Sequence, residues 1–482
     1  MKTKILNKYK YILFAILATG LISCNSDEFL DEPVPTDSVT SLAVYGSKAG
    51  IESAMTGTYN VLRDYFAAHD TAGSKAYYLG ADVMGTDVTC PDFNWYIFET
   101  RWDVVDSANG RRVNWAWEMF YSVANACRSH IAGISASGAI TQAEKDEYVA
   151  ELLALEAHCY FNLARYYSGS YAGGGGSQPG IPLYTQPQSI DNGGAPRGTL
   201  QDVYTRITTQ LEDAIPNIPV TQASKYRFSR GTAQGVLARI YLEMGDWVNA
   251  EFHAKNAKVG YPLMDAGTYA DGFASIDNDE WMWAQPYNAE QQRGFARFFS
   301  FIDHSSNGYN DLYIGVEFQA LFTSDTDIRK NLIVVNDPAS DVKRYITAKF
   351  RDNADQSGDL IMMRSSEMWM IEAEALAEQN KLPEAKTALL AVLSKRDPSA
   401  TLSTAATKEA LVDEILLERR KEFYGELGLG YFDLKRRNKG LDRTGPFQQW
   451  QLTVPAGDSR WRFYLPQDEI DKNPNITEAD QN

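Results

Sequence analysis

The sequence predicts a mainly all-α fold: a scaffold of paired helices carrying long irregular loops and a few short strands. Three observations predict it. Apolar residues recur at spacings of three and four through segment after segment, the period of one helix face. Helix ends meet across short turns flanked by small residues. Between the helical segments lie Gly-, Asp-, Trp- and Tyr-rich stretches without that period.

In chain order, residues 48–66 carry Ile51, Met55, Tyr59 and Leu62 on one face. Residues 111–133 carry Val113, Trp117, Phe120, Val123 and Cys127, so Trp115, Trp117, Phe120 and Tyr121 are expected in the core. Residues 141–167 open with Thr141-x-x-Glu144, a capping box that satisfies free N–H groups at a helix start, and continue with Leu152, Leu155, Cys159 and Leu163. Further helices fit 199–215, 230–244, 246–259, 364–379, 382–396 and 407–424. Pro216, Pro219 and Pro398 fall just past helix ends, where a missing N–H does least harm.

Two junctions look like repeats. Leu237 to Leu242 ends a helix, and Gly245-Asp246-Trp247 turns into Ala250, Ala254 and Ala257. Glu372 to Ala377 ends another, and Asn380-Lys381 turns into Leu382, Ala385, Ala388 and Leu389. Small facing residues let two helices approach closely, a pattern that resembles tetratricopeptide units, and about four such pairs are expected. They fall roughly within 111–167, 199–259 and 364–424 of one domain spanning 41–482. The loop-rich portions, 69–110 and 261–362, are where ligand-binding residues are expected.

The amino terminus predicts export. Lys2, Lys4, Lys8 and Lys10 precede an apolar stretch from Tyr11 to Ile22, shorter than a comfortable membrane span. Leu21-Ile22-Ser23-Cys24 resembles a bacterial lipobox, so 1–23 is expected to be removed and Cys24 acylated. Residues 24–40, with Asp27, Glu28, Asp31, Glu32, Pro33 and Pro35, read as an acidic leash of the kind that directs lipoproteins to the cell surface.

The 482-residue chain has 46 Lys+Arg against 63 Asp+Glu, a net charge of −17. Losing the four signal lysines takes it to −21. Nucleic acid and anionic lipid both call for basic surfaces, so neither is an expected partner. No zinc-hydrolase, nucleophile-elbow, P-loop or dinucleotide motif is present, and no cofactor or metal is expected. With three cysteines after Cys24, one disulfide at most could form, and buried free thiols at Cys90, Cys127 and Cys159 are the expectation. The charge cluster Glu414, Glu418, Arg419, Arg420, Lys421, Glu422 and Glu426 reads as an ion-pair network bracing a helix. Arg419 with Glu422, and Glu418 with Lys421, lie three apart on one face.

Several motifs then agree in order. They are Arg230-Gly231-Thr232-Ala233 with Leu237 to Leu242 and Gly245-Asp246-Trp247; Arg364-Ser365-Ser366-Glu367 with Glu372 to Ala375; and Leu416 to Glu426 followed by Tyr431 to Arg436. The tail adds Tyr464-Leu465-Pro466-x-x-Glu469-Ile470, Asn473-Pro474 and Gln481-Asn482. Together they resemble the SusD/RagB family of outer-membrane lipoproteins. One departure is that Gly430 stands about where the family has an arginine, which puts one structural ion pair in doubt. The resemblance implies a non-enzymatic protein of the outer face of the outer membrane, anchored through Cys24. It would cap a SusC-like TonB-dependent barrel transporter and capture a glycan, or in some branches a peptide. A surface glycoside hydrolase is the first rival reading, and a pure interaction protein, holding the transporter or a peptide on the tetratricopeptide-like concave face, is the second.

Sugars offer flat C–H faces, and Tyr and Trp offer rigid apolar faces with polar tips at low entropy cost. The resemblance places the ligand surface on loops near 94–102 and 281–313. The expected contacts there are Trp95, Tyr96, Arg101, Trp102, Tyr287, Arg293, Tyr309 and Tyr313, with no catalytic residue among them. Trp281 and Trp283 alternate as on a strand with one buried face.

Overall fold

A computed structural model describes residues 41–105, 107–188, 193–291, 293–445 and 448–482. The expected signal 1–23, Cys24 and the leash 24–40 lie outside the described residues. The long helices are α1 (Lys48–Asp64), α2 (Gly73–Val83), α3 (Arg111–Ala136), α4 (Gln142–Tyr167), α5 (Leu200–Ala214), α6 (Arg230–Met244), α7 (Trp247–Ala257), α8 (Ser365–Glu378), α9 (Leu382–Arg396), α10 (Lys408–Glu422) and α11 (Leu429–Arg436). Predicted and observed helix ends differ by a few residues at most.

Local chemistry explains the boundaries. Thr141 and Glu144 form the predicted capping box at α4, and Thr199 with Asp202 forms a second at α5. Gly245 ends α6 in the left-handed region at φ 73°, after which the Asp246 side chain caps α7 through the Asn249 N–H. Asn380 plays Gly245's part between α8 and α9, at φ 60°. Both turns reverse the chain within a few residues, so the flanking helices pack side by side.

The packing forms a repeat-like array. α1 lies on α3, α3 on α4 and α4 on α5; α6 lies on α7, α7 on α8 and α8 on α9. The helices group as α1/α3, α4/α5, α6/α7 and α8/α9, a tetratricopeptide-like array of the kind expected, although α1 lies before the expected 111–167 window and α4 pairs with α5 across its end. Ala250, Ala254, Ala257, Ala373, Ala377 and Ala385 are all fully buried at these contacts, which is why small residues stand there.

The loop-rich portion has its own core. Tyr96, Tyr269, Phe273, Trp281, Phe298, Phe299, Phe301 and Phe350 pack together beneath it. Trp281–Gln285 pairs antiparallel with Leu360–Arg364, and all five positions of each strand are buried. The single buried face expected for Trp281 and Trp283 is therefore corrected: both faces are covered, because helices and loops enclose this ribbon. A second sheet runs in the order Val88–Thr89, Tyr313–Ile314, Tyr345–Thr347, Ile333–Val335. Cys90, Cys127 and Cys159 are buried free thiols.

A buried ionic network ties the strand ribbon to the helices. Arg364 reaches Glu280 at 2.9 Å, Glu422 at 2.7 Å and Glu426 at 2.8 Å. Arg396 adds Glu422 at 2.9 Å and Glu280 at 3.2 Å. The bracing role expected of the charge cluster is what these contacts perform, with one pairing corrected. Lys421 does meet Glu418 at 2.7 Å, but Arg419 turns to Asp433 at 3.1 Å, because Glu422 points into the network. Beside it, the buried Asp82 carboxylate accepts N–H groups from Gly428 at 3.1 Å and Gly430 at 3.4 Å.

Candidate ligand-binding surface

Three chain segments converge on the loop-rich face. The turn after α1 brings His69, the loop before Ile97–Arg101 brings Trp95, and the loop before Tyr313 brings Tyr309. The Trp95 and His69 rings stack with centroids 4.9 Å apart and 9° between planes. Tyr309 stands edge-on to both, at 6.2 Å from Trp95 and 5.7 Å from His69. Tyr309 Oη and His69 Nδ1 share a hydrogen bond of 2.8 Å, and Phe301 stacks behind Tyr309 at 5.2 Å. Exposed Phe66 and Phe295 extend the array, 6.2 Å from His69 and 5.4 Å from Tyr309. The Arg111 guanidinium lies 5.4 Å from the Trp95 ring centre and is held by Asp70 at 2.7 Å.

Tyr287 and Arg293 meet beside this array through Asp64. Tyr287 Oη donates to Asp64 Oδ1 at 3.1 Å, and Arg293 approaches the same oxygen at 3.4 Å. Arg63 covers the Tyr287 ring at 4.7 Å. Burial and the Asp64 charge push the Tyr287 phenol well above its usual pKa, so it stays a neutral donor. The recess below, lined in part by Arg63, His69, Tyr287 and Arg293, measures about 20 Å³. That is room for about one water, so a sugar would lie on this surface and not in a cavity.

Arg101 stands apart, in contact with Asp103 at 3.0 Å and over the Trp450 ring at 5.4 Å. Three expected contacts are corrected. Tyr96 is buried, edge-on to Phe301 at 4.9 Å, and Arg112 covers its ring at 5.5 Å. Trp102 is buried against Trp461 at 4.9 Å, and its indole N–H donates to the Met84 carbonyl at 2.8 Å. Tyr313 is 9% exposed: His304 packs edge-on to its ring at 4.9 Å, and Lys343 lies 6.0 Å from the ring centre. Aromatic density in a loop could not say which rings the second core would claim.

Sequence reasoning missed His69, Phe66, Phe295 and Arg111. His69 had no motif to mark it, and Phe66 falls at the end of a helical period that the structure stops at Asp64. Phe93, 78% exposed and edge-on to Phe98 at 6.1 Å, was likewise unmarked.

For this paired-helix scaffold with its surface aromatics, comparison with known proteins gives the family. A family model described as starch-binding, associating with the outer membrane, matches residues 28–242, and the SusD family model matches 336–482. The chain belongs to the SusD/RagB family. A SusD-like protein of Bacteroides ovatus is 27% identical over 248 residues, 51% of this chain and 41% of the relative. SusD-like protein P25 of Formosa agariphila is 24% identical over 292 residues, 59% of this chain and 52% of the relative. The chain thus spans about half the length of the curated relatives it matches. Among solved structures, a SusD-like carbohydrate binding protein from Bacteroides vulgatus superposes with TM-score 0.80 at 25% identity, covering 90% of this chain and 98% of that one. A SusD superfamily protein from Bacteroides thetaiotaomicron also gives 0.80, at 21% identity, covering 90% and 99%, which shows the shared fold.

Proposed function

We propose that this chain is a cell-surface binding protein that captures a glycan on the Trp95–His69–Tyr309 surface, without turning it over, and delivers it to a TonB-dependent outer-membrane transporter. The observation that carries the reading is the ring array itself. Three aromatic side chains from distant segments lock one another in place and remain at the surface, backed by Phe301. A platform held this way loses little entropy when a sugar face settles on it. Arg111 and Arg293 offer hydrogen-bond donors around it, and the phenol oxygens can accept. Family membership, with its outer-membrane description, supports the setting. Anchoring through Cys24, outward orientation and a SusC-like partner complete the proposal.

A panel of polysaccharides screened by affinity electrophoresis and calorimetry tests it. Saturable binding of at least one glycan, with no released product, is expected. Product formation abolished by a single Asp or Glu substitution would replace capture with hydrolysis. Binding to no glycan in a broad panel would remove the reading.

A further inference from the structure

A separate, half-open cavity of about 350 Å³ lies along the outer side of α3, lined also by Tyr184, Gln186, Gln188 and Glu469. That volume suits a small ligand. Its walls are aromatic: Trp117 and Tyr121 rings lie 4.7 Å apart, and Tyr121 meets Tyr160 at 6.1 Å and Tyr184 at 5.9 Å, both edge-on.

The polar groups sort by type. Several hydrogen-bond donors at the rim are directed at protein acceptors. Arg128 is bound by buried Glu156, and its Nη2 also reaches Gln210 at 3.1 Å. Trp117 Nε1 donates to Glu469 at 3.3 Å, and Tyr121 Oη donates to the Pro182 carbonyl at 2.8 Å. Asn125 Nδ2 donates to the Gln188 carbonyl at 3.4 Å. The carboxylates are hydrogen-bonded but not ion-paired. Glu118 is exposed and accepts from Tyr65 Oη at 3.0 Å; Glu469 accepts from Trp117 and, at 2.7 Å, from Asn473 Nδ2. Among the described residues neither carboxylate forms a salt bridge, and nearby Lys472 is held by Asp468 at 2.7 Å.

An aromatic-walled cavity with two carboxylates that lack an ion-pair partner among the described residues attracts positive charge. Ring faces are negative and favour a cation within about 6 Å. We propose that this cavity is a binding site for a substituted ammonium group, with apolar carbon against the rings and the charge towards Glu118 and Glu469. The ammonium could belong to an amino sugar or to a lysine side chain, which share this chemistry. The site shares no lining residue with the Trp95 platform, so it does not rest on the glycan reading.

Calorimetric titration of the purified protein with choline, glucosamine and Nα-acetyl-lysine methylamide, against matched sodium chloride, tests it. N-acetylglucosamine is the neutral control. Saturable millimolar binding of the ammonium probes is expected, with the neutral control at least tenfold weaker. Glu118→Gln should weaken ammonium binding about tenfold while the melting temperature holds, since Glu118 is exposed. Trp95→Ala should leave it unchanged. A preference for glucosamine assigns an amino sugar, and a preference for the lysine probe assigns a basic peptide; either sustains the site. Equal binding of the neutral control, indifference to Glu118→Gln, loss of ammonium binding in Trp95→Ala, or no ammonium binding would each overturn it.

Discussion

Trp95 and His69 lie 26 positions apart in sequence and stack within 9° of parallel, whereas Trp102, seven residues after Trp95, is sealed against Trp461. The two tryptophans of one loop therefore make opposite predictions. Trp95→Ala should weaken glycan binding by at least about tenfold, ~1.4 kcal/mol, with the melting temperature nearly unchanged. Trp102→Ala should leave a cavity and a lost indole hydrogen bond, costing about 3–5 kcal/mol of stability. Calorimetry and thermal unfolding of both variants check this. A Trp95 variant that melts as early as the Trp102 variant would return Trp95 to the core.

The fully buried Glu422 carboxylate serves Arg364 at 2.7 Å, Arg396 at 2.9 Å and Arg329 at 3.3 Å. Glu422→Gln would leave these guanidinium groups short of one negative charge in a place water does not reach. Removing one partner of a buried ionic set costs about 3–5 kcal/mol. Denaturant unfolding should show that loss with an unchanged slope. Retained wild-type stability would mean that water enters the network.

These pairs show what could be read beforehand. Helix faces were legible because a period of 3.6 needs only the local sequence, and Thr141, Gly245 and Asn380 mark their own boundaries. The reason Glu422 lies buried was not legible, since Glu280 and Arg364 come from distant strands. The loop windows were located, but the division into Trp95 and Tyr309 outside, Tyr96 and Trp102 inside, depends on which side of the second core each backbone passes. His69 was invisible for the same reason: its role comes from Trp95 and Tyr309 arriving beside it.

The pH dependence of stability should have two limbs of opposite sign. Arg396, Arg364 and Arg329 hold the Glu422 carboxyl well below its usual 4.5 despite its burial. Its stabilisation is present above about pH 4.5 and disappears as pH falls. Burial instead pushes Asp311 from 3.8 up to about 7, with the Asp92 charge adding to the rise, and burial pushes Asp82 up to about 7 as well. The folded state then binds more protons than the unfolded state between these values. Stability from these two groups is full below 3.8 and is lost as pH rises through about 7. Asp311→Asn should flatten the second limb and leave the acid limb intact. Chemical unfolding across pH 2 to 8 would show it; an unaltered slope in the variant would place the effect elsewhere.

The last prediction concerns Gly430, where the resemblance leads one to expect an arginine. α2 ends just before Gly85, and α11 begins just before Gly430, with the two backbones in close approach. A Cβ on Gly85 would lie 2.6 Å from the Gly430 Cα, whereas one on Gly430 would lie 2.9 Å from the Asp82 carbonyl and 3.0 Å from the Gly85 Cα. Backbone atoms cannot step aside as a flexible side chain can. Gly85→Ala should therefore destabilise the fold by about 1–3 kcal/mol, and Gly430→Ala by less. An arginine at 430 should be worse than alanine, because its Cβ makes the same contacts and its charge enters a site where Gly428 and Gly430 already serve Asp82. Melting temperatures in the order wild type, Gly430→Ala, Gly85→Ala, from high to low, are the expected result. An arginine variant that melts above the wild type would show that these helices can separate enough to admit the family's residue.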